Sequence, residues 1–117
     1  MLERSVPARH ELPEIDAAAL TVARALDRLL ADARRLVAEG GPNAAGASRW
    51  AAYLGPLPDQ LRDDPVTYLR GAARRVRAAY GPRDSIRDTF APALTEPLLD
   101  AIDRLLKAIA RHEANPT

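Results

Sequence analysis

The sequence predicts an all-α protein, a compact helical bundle of three to four main helices plus one or two short helical turns. Three observations predict it. Apolar residues recur at helical spacing from Ile15 to Leu36, from Val66 to Tyr80 and from Leu98 to Ile109. No segment alternates apolar and polar residues, and β-branched residues never cluster. Alanine, leucine and arginine, all good helix formers, dominate the composition. A chain of 117 residues suits one domain. That domain is expected over residues 13–117, behind a loose arm at 1–12 that shows no period and carries Pro7.

Pro13 fits the first turn of a helix, with Glu14 and Asp16 near its positive dipole end. Ile15, Ala19, Val22, Leu26, Leu29, Ala33 and Leu36 then follow a/d spacing without a break. Leu30 and Val37 widen the stripe, and Gly40-Gly41-Pro42 stops the helix. An a/d pattern serves a bundle core or a seam between copies, so a homodimer through helix 13–39 is one reading of it.

A second helix is expected over 43–54, with Asn43 or Ser48 as cap and Gly46 weakening its first turn. Ala47, Trp50, Ala51 and Leu54 share a face. In LGPLPDQLRDDP, prolines and a glycine leave room for one helical turn around Asp59 to Arg62. Asp64-Pro65 reads as a cap followed by proline at the first helical position. Helix 65–80 shows Val66, Leu69, Ala73, Val76 and Tyr80, and ends at Gly81-Pro82. Gly71 inside it costs about 1 kcal/mol relative to alanine, which predicts a close approach of another helix there. Residues 83–90 read as a short helix closed by Pro92. Thr95 or Glu96 then caps the last helix, 96–113, with Pro97 in its first turn and a fraying tail.

At 1.5 Å per residue the long helices span about 40, 24 and 27 Å. The first outreaches its partners. Either the 43–62 segment covers the excess, which is the favoured reading, or another chain does. Leu26, Leu29, Leu69, Val76, Ile102, Leu105 and Ile109 are the expected central core, between nearly antiparallel helices.

Composition narrows function. The chain has no cysteine, which excludes disulfides and thiolate chemistry and fits a cytoplasmic address. Its opening residues lack the apolar core of a signal peptide. No apolar run approaches the roughly 18 residues of a membrane span. Seventeen basic and 16 acidic residues leave a net charge of +1, too balanced for a dedicated polyanion binder. The tetrapeptide ARHE occurs at residues 8–11 and 110–113 and contains the only histidines, His10 and His112. Metal sites on helices need ligands converging from one face, and neither HExxH nor ExxH with its partners is present. Ser5, Ser48 and Ser85 lie in no nucleophile elbow. Adjacent Asp63 and Asp64 point apart on a helix. The expectation is a non-enzyme with no catalytic residue, cofactor or metal.

Two features could touch a partner. Arg70, Arg74, Arg75 and Arg77 form a basic cluster on helix 65–80, in which Arg70, Arg74 and Arg77 share a face, and Arg83 and Arg87 follow its turn. Such a stripe can meet phosphates, or lie solvated and paired with Asp59, Asp63 and Asp64. Trp50 and Tyr53, residue types favoured as interface anchors, flank the proline-rich turn. Of the two, Trp50 is the more natural core residue.

The stretches LGPLPDQLRDDP, YGPRDSIRDTF and LTEPLLDAIDRLL resemble the CATRA-associated small proteins, over roughly the C-terminal two-thirds of the chain. These are compact helical proteins found beside caspase-like peptidases and TPR-containing partners in bacterial conflict systems. The resemblance implies a small non-enzymatic adaptor, sensor or regulator of a peptidase effector, binding another protein. It carries over no catalytic residue. The alternative is a nucleic-acid-binding regulator using the Arg70–Arg87 face.

Overall fold

A computed structural model describes residues 7–114. Among them are five α-helices, two 3-10 turns and no strand. The all-α bundle is therefore the architecture.

The first helix, α1 (Pro13–Glu39), runs over the residues its pattern demands. Gly40 closes it at φ 67°, donating to the Leu36 and Val37 carbonyls at 3.2 Å each. That left-handed backbone is why glycine stands there. Against α1 pack α2 (Ala44–Leu54), α3 (Leu57–Asp63) and α5 (Pro92–Ala114). The fourth helix, α4 (Val66–Ala78), packs chiefly on α5 and α3. All seven expected core residues are buried. The 43–62 segment does cover α1. Ile15 through Ala33 of the a/d stripe are buried within the chain, and Leu36 packs against the core. The apolar surface of that stripe is used inside one copy.

Several boundaries differ from expectation. The turn expected at 59–62 is a seven-residue helix. Pro56 and Pro58 start α3 instead of breaking it, because a first turn needs no N–H from them. Leu57, Pro58 and Leu61 are buried. Pro65 caps α4 where Asp64 was expected to, and no side chain hydrogen-bonds to the free amides of α4 or α2.

The helix expected at 83–90 is a single 3-10 turn, Ile86–Asp88. A capping box holds it. Ser85 Oγ accepts from the Arg87 amide at 3.1 Å, and the Asp88 carboxylate accepts from the Ser85 amide at 3.2 Å. Pro92 does not close this segment; it opens α5, and Pro97 lies inside the helix. Pro97 withholds an amide from the Ala93 carbonyl. Both residues are exposed, so water can serve that carbonyl. Begun at 92, α5 spans about 34 Å at 1.5 Å per residue, close to α1.

Gly71 contradicts its expected role. It is exposed, and a Cβ there would meet nothing within 4 Å. The close approach lies instead at Gly46, where a Cβ would come 2.8 Å from Thr89 Oγ1.

The expected arm falls partly outside the described residues. Its described part is pinned. Arg9–Glu11 form a 3-10 turn, and Leu12 packs against the core. Arg9 Nε donates to Asp16 at 2.8 Å, and Arg9 Nη1 to the Asp64 carbonyl at 3.2 Å.

Candidate interaction surface

The antiparallel pairing of α1 and α5 brings the two ARHE words to one end of the bundle. Arg111 pairs with Glu14 there. A cleft of about 370 Å³ opens beside the pair, floored by Leu12, Pro13, Ile15 and Ala108 and edged by Glu11 and His112. His10 is exposed and does not line it. The repeat is therefore brought together at one place, but only His112 reaches the cleft. Among the described residues, no group of three or more His, Asp or Glu is placed to hold a metal ion.

The arginine stripe is anchored to α5 and not to the acids of α3. Arg70 pairs with Glu113, and Arg77 lies 3.9 Å from Asp103. Arg87 forms a fork with Glu96, Nε and Nη2 donating at 3.0 and 2.9 Å. This pairing holds the Glu96 carboxyl below its ordinary range, aided by the Thr95 hydroxyl, which donates at 2.8 Å. Arg77 and Arg87 also cover the ring of Tyr80, at 5.8 and 5.2 Å from its centre. The Tyr80 hydroxyl donates to the Thr95 carbonyl. Burial pushes its pKa upward, with Glu96 adding to the effect. Among the described residues, Arg74, Arg75 and Arg83 have no ion-pair partner. The stripe is thus half a structural seam, with three cations left over.

Trp50 and Tyr53 form the other candidate. Trp50 is half-buried against the core, while Tyr53 is 44% exposed. Their rings meet edge to face at 5.9 Å and 78°. Tyr53 is fixed by its hydroxyl, which donates to the Arg75 carbonyl at 2.8 Å. Arg49 and Asp84 border the pair, and the four residues line a shallow cleft of about 230 Å³. Asp84 holds φ 52°, a left-handed backbone that aspartate tolerates better than most residues. A second cleft, of about 280 Å³, lies on the other flank of α2, lined by Ala33, Arg34, Val37, Ala38, Ser48 and Ala51.

Sequence reasoning missed Arg49, Asp84 and the exposed half of α2. One signal was available: α2 has a single charged residue among its 11. A surface helix usually carries a polar outer face. Here the outer positions are Ala45, Ser48, Arg49, Ala52 and Tyr53, all exposed.

Compared with protein-family models, curated protein sequences and solved structures, the chain matches none.

Proposed function

We propose that this protein is a non-enzymatic interaction module that assembles through the outer face of α2. One observation carries the reading: a helix with one charged residue leaves its outer half uncovered, beside an aromatic pair held rigid by a hydrogen bond. Rigid aromatics lose little freedom on binding, which makes Tyr and Trp efficient anchors. The resemblance of the turn and cap segments to CATRA-associated proteins supplies the biological setting. In it the protein serves as a cytoplasmic adaptor, sensor or regulator of a caspase-like peptidase or a TPR-containing protein.

The test is affinity capture from the native host with the unaltered chain and with Ala52→Glu. Ala52 is exposed, so the new charge disturbs the surface and not the core. A captured protein partner is expected to survive about 0.5 M salt, where exposed ion pairs are screened, and to be lost with Ala52→Glu. Self-assembly, followed by light scattering at raised protein concentration, is expected to be lost with Ala52→Glu as well. Assembly untouched by Ala52→Glu sinks it, and so does a chain that neither captures a protein nor self-associates at high concentration.

A further inference from the structure

We infer that the occupant of the α2 face is a second copy of this chain, docked about a two-fold axis with Arg49 of each copy meeting Asp84 of the other. This rests on the reading of α2 as the assembly surface and names its partner. Three observations support it.

The first is charge. Arg49 and Asp84 have opposite signs, border the same cleft and have no ion-pair partner among the described residues. A patch carrying both signs is complementary to its own two-fold image, and the axis forms the pair twice. A strongly basic partner would repel Arg49 and also Arg34, which lines the second cleft, and a strongly acidic one would repel Asp84.

The second is shape. Ala45, Ser48, Arg49 and Ala52 follow the spacing of one helical ridge. Three of the four are small, so two such helices can approach to the short end of the usual 8–10 Å range. Clefts lie on both sides of the ridge. Val37 and Tyr53, two of the three exposed large apolar side chains among the described residues, stand at their edges and can seat in a facing copy.

The third is preorganisation. The Ser85–Asp88 capping box fixes the loop that presents Asp84, and the Arg75 carbonyl fixes Tyr53. Little ordering is left for association to impose. Since α2 is only about 16 Å long at 1.5 Å per residue, the patch belongs to the small class of specific interfaces. The dimer therefore dissociates on dilution.

Light scattering on a size-exclusion column, over a concentration series reaching about 0.5 mM, tests this. Wild type is expected to rise towards twice the 12.7 kDa chain mass. Ala52→Glu and Arg49→Glu are each expected to stay at the single-chain mass with unchanged helical circular dichroism. Arg49→Glu combined with Asp84→Lys is expected to recover the dimer. A wild type that stays monomeric throughout overturns the proposal. So does a dimer indifferent to Ala52→Glu, or one that the double exchange fails to restore. A monomeric wild type that still captures a different protein, lost in Ala52→Glu, overturns the second copy alone. A monomer that captures nothing ends the assembly reading as well.

Discussion

Gly46 of α2 lies against Thr89, with 2.8 Å between the place its Cβ would occupy and Thr89 Oγ1. Gly71, in the middle of α4, faces open space. The two glycines therefore answer the same substitution differently. Gly71→Ala removes a backbone-entropy cost at no steric expense, and is expected to stabilise by about 1 kcal/mol. Gly46→Ala gains the same propensity but must displace Thr89, so its net effect is expected near zero or destabilising. In a Thr89→Ala background the obstacle is gone, and Gly46→Ala should recover most of the gain. The coupling, about 1 kcal/mol, is read from urea midpoints of the four proteins in the cycle.

Tyr80 is expected to limit alkaline stability. Its folded pKa is raised by burial, so the folded state holds the phenolic proton more tightly than the unfolded state. Its contribution is complete below the unfolded pKa of about 10 and is lost as pH rises towards the higher folded value. The check is denaturant midpoints of wild type and Tyr80→Phe between neutral and strongly alkaline pH. Near neutrality Tyr80→Phe should be the weaker by about 1 kcal/mol, the worth of one hydrogen bond. The difference should narrow above the unfolded pKa.

Glu96 sets the opposite dependence. Its folded pKa is lowered, first by the Arg87 fork and then by Thr95. Its contribution is present above the unfolded carboxylate pKa of about 4.3 and is lost as pH falls through the depressed folded value. Glu96→Gln should therefore be less stable than wild type at neutral pH, and the two should converge in acid. A constant gap across that range would show that the fork adds no pH-dependent stability.

The helices were legible because a/d spacing and proline and glycine punctuation are local signals. Pro13 and Gly40 marked the ends of α1 to the residue. Local signals failed where a proline had two permitted uses. Pro92 opens α5 instead of closing the previous turn, and Pro97 is carried inside because its missing hydrogen bond falls on the solvent side. Gly46 and Gly71 look alike in sequence, and only tertiary packing tells which one has a neighbour. On the surface, the arginines could be counted, but their partners on α5 lie up to 43 positions away and no spacing rule reaches them. Trp50 and Tyr53 were visible as candidate anchors by residue type. The cleft they share with Asp84 exists only once the loop after α4 folds back beside α2.

The arginine stripe yields the last prediction. Arg70, Arg77 and Arg87 already face Glu113, Asp103 and Glu96, so their charge is largely answered within the chain. Arg74, Arg75 and Arg83 remain. Each phosphate neutralised on duplex DNA contributes about −0.9 to the slope of log affinity against log salt concentration. Any binding by this face should thus show a slope no steeper than about −3, the mark of weak, non-specific contact. Fluorescence anisotropy with a labelled duplex across a salt series measures it directly. Arg74→Glu should flatten the slope and leave stability within about 0.5 kcal/mol, as for most exposed substitutions. Arg77→Glu should cost stability, because it sets a second carboxylate beside Asp103. A slope much steeper than three contacts allow would mean that the paired arginines open to bind, and would favour a nucleic-acid-binding regulator over the α2 assembly.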